Sequence, residues 1–349
     1  MSERERPTAD RPPVTAIVLN YNGAELLDVV MPSLQRQTYP HLGVMVVDNG
    51  STDESVAIVR DRWPEARVVE IPENVGVARA LNAGIMESDT ELIALLNNDI
   101  ELEPGWLEEL VAALLQHPAA ASASGKLLRF DRRDVIDAAG DGMRWSSAAF
   151  NRGAGQPDQG QFDVPEPVLS ACAGAALYRR SAFDDVGPFD EDFFAYLEDI
   201  DWSLRAQLRG YASHYVPAAV AYHMRGATTG GARDRYRVLQ RRNQIWLVLK
   251  NYPLGALVRR VPGIVVLNLG LAIQDAREGA LPSTLRGWWA ALRGLPGVLR
   301  KRRAIQRSRR VGVEGLDAVV TPEPWARGSL GERIRATVRT VAPAFGKRK

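Results

Sequence analysis

The stretch L92-I-A-L-L-N-N-D-I-E-L-E-P-G-W106 decides how this chain is read. Five apolar residues, 92–96, make a short run of buried-strand type, and the run stops at Asn97-Asn98-Asp99. Three polar side chains released at the end of a buried strand need a purpose or a partner. Working outward, three earlier runs repeat the pattern. VTAIVL (14–19) is followed by Asn20-Tyr21-Asn22, VMVV (44–47) by Asp48-Asn49, and ARVVEI (66–71), a little later, by Asn74-Val75-Gly76. Segments of helical period separate them: Ala24 to Gln37, 54–62 and Val77 to Met86. Ser51 and Glu54 have capping-box spacing for the second of these helices. Alternation of continuously apolar strands with helices predicts a parallel sheet covered on both faces. In such sheets ligands sit beyond the carboxyl ends of the strands. One polar strand end is ordinary turn chemistry, but four on one edge predict a site.

Composition sets the outer limits. The chain has 349 residues, 46% hydrophobic and 25% charged, with a net charge of +2. That is a globular profile, and it gives no whole-molecule argument for nucleic acid. The charge is unevenly spread. Between Gly279 and Val313 there are nine Arg or Lys and no Asp or Glu, a local footprint for an anionic surface. The single cysteine, Cys172, allows no disulfide within the chain and reads as a small core residue. Residues 1–12 read as a flexible lead. VPGIVVLNLGLAIQ (261–274) is uncharged but shorter than the roughly 20 residues a membrane span needs, so no span is predicted. Helices are expected over Leu107–Leu115, Ser181–Val186 and Ile200–Arg209, loops and short strands over 125–170, and a strand or turn at 171–178. Amphipathic, Arg-rich helices are expected from Tyr236 to about 311.

Three groups carry candidate chemistry. Asp99, near Asp48 and flanked by amides, suits a hard divalent cation with oxygen ligands; the alternative is a turn with a helix cap. No G-x-x-x-x-G-K-[ST] occurs, and no G-x-G-x-x-G follows the first strand, so a nucleotide's phosphates would be held by metal and side chains. Glu198, Asp199 and Asp201 are adjacent acids, so mutual repulsion favours a proton-transfer group among them; the alternative is ordinary acidic charge at a helix N-terminus. His223 is a structural histidine or a metal ligand.

In this order, VTAIVLNYN, VVDNGSTD, ENVGVARALNAG, LLNNDIEL, GAALYRRSAFDDVGPFDEDFFAYLEDIDWSLRAQLRG and HMRGATTG closely resemble family 2 of the inverting glycosyltransferases. More narrowly they resemble its rhamnosyltransferase-like branch, which builds bacterial surface polysaccharides. The resemblance covers about 14–250. It implies an α/β GT-A fold with a mostly parallel central sheet and a C-terminal helical extension. It implies a catalytic unit over 13–235, with a nucleotide-binding half to about 105 and an acceptor half from 106, then a basic helical extension over 236–311 and a tail over 312–349. Donor-binding roles fall on Asn20, Tyr21, Asp48, Asn74, Gly76, Arg79, Asn97 and Asn98. Asp99 and His223 take the metal, Mg²⁺ or Mn²⁺, and Asp199, beside Glu198, is the catalytic base. Asn97 stands where the family usually has the first Asp of its DxD position. The implied partners are a nucleoside-diphosphate sugar and a saccharide or lipid-linked acceptor. The Arg-rich helices, with Trp288 and Trp289, read as peripheral contact at the cytoplasmic face of the membrane; the alternative is a solvated basic face packing on the catalytic unit. Rival readings are a nucleotidyltransferase making the sugar nucleotide and a non-catalytic scaffold on the same fold.

Overall fold

The computed structural model describes residues 11–225 and 233–321. The first ten residues of the expected lead, the HMRGATTG stretch beyond Arg225 and the tail from 322 onward lie outside the described residues.

The four apolar runs become β1 (Val14–Asn20), β2 (Leu42–Asn49), β3 (Arg67–Ile71) and β4 (Leu92–Asn97), separated by α1 (Ala24–Gln35), α2 (Ser55–Arg62) and α3 (Val77–Glu87). β1 lies between β2 and β4, with β3 outside β2, and all three pairings are parallel. Alternate side chains seal opposite faces. Val14, Ala16 and Val18 join a core under α1, while Ile17 packs with Met45, Val47 and the buried face of α3.

Beyond β4 the sheet becomes mixed. β5 (Ile100–Leu102) and α4 (Trp106–Gln116) lead into β6 (Ala120–Arg129), β7 (Ile136–Ala139), β8 (Asp141–Met143), β9 (Ala149–Asn151), β10 (Glu166–Val168) and β11 (Ala175–Arg179). α5 (Arg180–Val186), α6 (Glu198–Arg209) and β12 (Ala212–His223) complete the unit. β11 runs antiparallel between β4 and β6, and β12 runs parallel to β6. β6 extends ten residues across the sheet, its last five, 125–129, inside the 125–170 segment expected as loops and short strands. Its AASASG half alternates small residues and has no aliphatic run, which hides a strand from periodicity.

Five helices follow: α7 (Arg233–Asn251), α8 (Leu254–Arg277), α9 (Leu281–Arg293), α10 (Leu295–Ser308) and α11 (Val313–Val319). α7 begins three residues before the expected boundary. It packs on α6, α9 and α10. α8, whose 261–274 stretch reads as too short to span, is 24 residues long. By length and composition alone it is the one described helix able to cross a bilayer.

The expected capping box at α2 does not form. Glu54 takes the cap position without a side-chain bond, and Asp53 Oδ1 accepts from the Ser55 backbone N–H at 3.1 Å. The Ser51 hydroxyl is engaged elsewhere.

Candidate active site

Register places three of the polar strand ends side by side. Asn20 pairs across from Asp48, and Leu19 across from Asn97. Asn98 Nδ2 donates to Asn20 Oδ1 at 2.8 Å. Asn20 Nδ2 donates in turn to Asp48 Oδ1 at 3.0 Å and to Ser51 Oγ at 3.2 Å. The Ser51 hydroxyl and backbone N–H both donate to Asp48, at 2.5 and 3.0 Å. Asp48 is therefore a buried carboxylate saturated by protein donors, and two amides separate it from Asp99. Gly23 permits this relay: a Cβ there would stand 2.0 Å from Asn98 Nδ2 and 2.7 Å from Asn20 Oδ1.

A second relay crosses to the loop before α6. Asn49 Oδ1 accepts from the Val75 N–H at 3.0 Å, and Asn49 Nδ2 donates to Asn74 Oδ1 at 3.3 Å. Asn74 Oδ1 also accepts from the Gly76 N–H at 3.1 Å. Gly76 has φ +88°, and a Cβ there would sit 2.5 Å from the Phe194 carbonyl oxygen, so both backbone angle and space require glycine. Arg79 is exposed and faces Glu191 at 3.7 Å. The structure thus turns Arg79 toward the 190–197 loop. Tyr21 is half-buried and makes no side-chain hydrogen bond among the described residues.

Asp99 and His223 meet as expected. β5 pairs antiparallel with β12, with Ile100 opposite His223. His223 Nε2 lies 3.3 Å from Asp99 Oδ2. Its Nδ1 lies 2.7 Å from Asp137 Oδ2, and Arg225 Nε lies 2.6 Å from the other oxygen of Asp137. Burial alone would lower the imidazole pKa. Hydrogen bonds to Asp137 and Asp99 outweigh it and push the group up to about 9. Asp137, the second residue of β7, carries no signal in the sequence: it precedes a run of small residues with no motif around it.

The acidic pair occupies the first turn of α6. Glu198 is buried and Asp199 half-exposed. Burial first and the Asp199 charge second push Glu198 up to about 8. Asp199 is also raised by burial, but the N–H groups of Ile200 (2.8 Å to Oδ1) and Ala173 (3.4 Å to Oδ2) pull it back. Among the described residues, Glu198 Oε2 has no hydrogen-bond partner. Negative charge is therefore better held on Asp199, which also reaches solvent. Ala173 ties the acid to the strand end, because the next residue's carbonyl, on Gly174, accepts the Asn97 N–H at 2.9 Å. Asp141, Cys172 and Asp199 offer ligand atoms within 4.8 Å of one another. Desolvation first and neighbouring carboxylates second raise Asp141 and the Cys172 thiol well above their usual ranges. Asp141 and Cys172 therefore favour their protonated forms, beside the charge on Asp199. Asp141 accepts from Asn151 Nδ2 at 3.0 Å across the β8–β9 pair. Like Asp137, it went unread in the sequence.

The loop before α6 is held from the helical extension. Phe194, Tyr196 and Leu197 all have positive φ, a costly run for residues with side chains. Buried Asn243 of α7 donates to the carbonyls of Phe193, Ala195 and Tyr196 at 3.0, 2.9 and 2.8 Å. Lys250 Nζ bridges Asp190 and Asp201 at 2.5 and 2.7 Å.

Comparison with known proteins agrees with this architecture. The profile of Glycosyl transferase family 2 matches residues 15–187. The chain is 30% identical over 240 residues to an N-acetylglucosaminyl-diphospho-decaprenol L-rhamnosyltransferase of Mycobacterium tuberculosis, covering 62% of this chain and 77% of the relative. It is 30% identical over 221 residues to the O-antigen biosynthesis protein RfbC of Myxococcus xanthus, covering 58% of this chain and 16% of that protein. Among solved structures, the mannosyltransferase PcManGT from Pyrobaculum calidifontis, in complex with GDP-Man and Mn²⁺, superposes with a TM-score of 0.52 at 19% identity, covering 95% of this chain and 88% of the other. Residues 1–349 of S. aureus TarS give 0.53 at 16% identity, with 94% and 89% covered. These two likenesses carry the GT-A fold. With strand ends, acidic helix turn and sequence kinship in agreement, the chain belongs to glycosyl transferase family 2, among the enzymes of surface polysaccharide synthesis.

Proposed function

We propose that the protein moves a sugar from a nucleoside-diphosphate sugar to a hydroxyl of a saccharide or lipid-linked acceptor, with inversion at the anomeric carbon. The observation that carries this is Asp199: a half-exposed carboxylate, held by two backbone N–H groups, one short relay from the Asn97–Asp99 strand end. In the reaction Asp199 accepts the proton of the acceptor hydroxyl. The freed oxygen pair bonds to the anomeric carbon on the face opposite the diphosphate. The bond to the diphosphate oxygen breaks, and its electron pair leaves with the nucleoside diphosphate. Glu198, kept protonated by burial and by its neighbour, leaves Asp199 as the single base.

Asp99 and His223 fit a divalent cation. They offer one hard oxygen and one imidazole nitrogen, 3.3 Å apart, at the strand end where a diphosphate would lie. When bound, Mg²⁺ or Mn²⁺ would supply positive charge to the departing diphosphate. Asp137, through Nδ1, holds His223 Nε2 toward that place. The Asn20–Asp48–Asn98 relay fixes the sheet edge where base and ribose would rest, and Asn74 and Gly76 shape the stretch beside it. The printed name of the mycobacterial relative supports a lipid-linked diphosphate acceptor, and that of PcManGT supports a sugar nucleotide with Mn²⁺. Work at the cytoplasmic face of the membrane follows from such an acceptor.

The test is Asp199→Asn. Transfer should be lost while nucleotide-sugar binding, read by calorimetry, persists. Turnover at the wild-type rate in that variant would remove the base assignment.

A further inference from the structure

Helix α8 carries two incompatible-looking faces. One is sealed to the rest of the protein: Ala256, Arg260, Leu267, Leu271 and Asp275 are buried. Polar ties fix that face. Arg260 pairs with Asp317, and Asp275 lies 3.0 Å from Arg237 and 2.8 Å from Arg241 of α7. The other face is a ridge of Leu254, Val258, Val261, Val265, Leu269 and Ile273, each 45–69% exposed. The spacing of four, three, four, four and four residues keeps them on one side of the helix. At 1.5 Å per residue the ridge runs about 28 Å. Aliphatic groups exposed singly are ordinary, but a contiguous ridge of this length marks an interaction surface.

The neighbouring helices say what covers it. α9 packs against α8 and exposes Leu285, Trp289 and Leu292. Arg277, Arg293, Arg300, Arg303 and Arg307, on α8, α9 and α10, are exposed and form no ion pair among the described residues. No acidic residue stands between Gly279 and Val313. Aliphatic and tryptophan side chains on α8 and α9, carried with unneutralised guanidinium groups on the same helical extension, complement an anionic lipid surface: acyl chains for the first, phosphate headgroups for the second. The sealed face argues against a spanning helix, because crossing would carry Arg260 and Asp275 into hydrocarbon and strip them of their partners.

We infer that α8 lies in the plane of an anionic bilayer as a monotopic anchor, its Leu254–Ile273 ridge in the acyl boundary and the arginines of α9 and α10 on the headgroups. The inference deepens the proposed function by fixing how the enzyme meets a lipid-linked acceptor. Its test needs no turnover, so its failure leaves the reading of the reaction intact.

The full chain is sedimented with vesicles of phosphatidylcholine, with and without phosphatidylglycerol. Wild type should pellet with the anionic vesicles and be released by an alkaline wash. Val265→Asp/Leu269→Asp should lose binding at least tenfold, with an unchanged melting temperature. Should that pair fail to fold, Arg300→Glu/Arg303→Glu keeps the test open, each reversal costing on the order of fivefold in partition. Equal binding by wild type and variants overturns the inference, as does absence of wild-type binding. Resistance to the alkaline wash shows a spanning helix instead. A dimer in solution that dissociates in Val265→Asp/Leu269→Asp shows that a second copy covers the ridge.

Discussion

His223 offers a measurable pH signature in metal-free protein. Its imidazole lies between Asp99 at 3.3 Å and Asp137 at 2.7 Å. Burial opposes its charge, but the two carboxylates prevail and raise it from 6.5 to about 9. A histidine raised on folding stabilises the folded state fully below its unfolded pKa, and that contribution is lost as pH rises through the folded value. The window here is therefore pH 6.5 to about 9. A rise of that size corresponds to about 3 kcal/mol, on the order of a hundredfold in the folding equilibrium, as an upper bound. Urea unfolding of the metal-free chain in EDTA should show stability falling across that window. Glu198, raised to about 8, bends the curve in the same direction from lower pH, so wild type alone does not separate the two. The observable is the difference between wild type and His223→Gln. The variant has no imidazole to titrate and should lose most of the slope above pH 8. If both proteins show parallel curves, the two-carboxylate cage does not hold a proton and the electrostatic account of the site is wrong. Added Mn²⁺ must displace that proton from Nε2, so its apparent affinity should rise about tenfold per pH unit in the same window.

Two further predictions use other contacts. Asp137→Ala should weaken Mn²⁺ binding about 10- to 100-fold by calorimetry, with Asp137→Asn intermediate, because the partner of Nδ1 orients the ligand nitrogen; unchanged affinity would remove Asp137 from the site. Asn243→Ala removes the two amide N–H donors shared by three carbonyls of the strained 193–196 loop, at about 1 kcal/mol per donor. Loop protection in hydrogen exchange and kcat should both fall, while Mn²⁺ affinity, set on the far strand end, should stay constant.

The legibility of this site in the sequence follows chain distance and partner type. β1, β2 and β4 are readable because each is built on a mostly aliphatic run, and β3, whose RVVEI carries Arg67 and Glu70, because the same strand–helix unit repeats around it. The polar residues at their ends were readable for the same reason, since the sheet carries them to one edge whatever their role. Asp199 and His223 were readable through resemblance to the family, not through periodicity. Asp137 and Asp141 were not readable. Each lies on a strand of three or four residues in a segment where small side chains erase the period-two signal. Their importance comes from a partner far along the chain: 86 residues separate Asp137 from His223. Ser51 was misread for a related reason. Its spacing to Glu54 satisfies a local capping rule, but its hydroxyl oxygen already accepts from the Asn22 N–H at 2.8 Å and Asn20 Nδ2 at 3.2 Å while its proton goes to Asp48, so no lone pair remains for a helix N–H. The helical extension was read as an appendage because its Arg-rich surface dominates its composition. Its buried polar residues do different work. Asn243 and Lys250 hold the loop that carries Phe194 against Gly76 and leads into Glu198, so one segment touches both the Asn74–Gly76 stretch and the helix turn of Asp199, the proposed base. A change in α7 should therefore alter catalysis without altering the sheet, a coupling that no single stretch of the sequence displays.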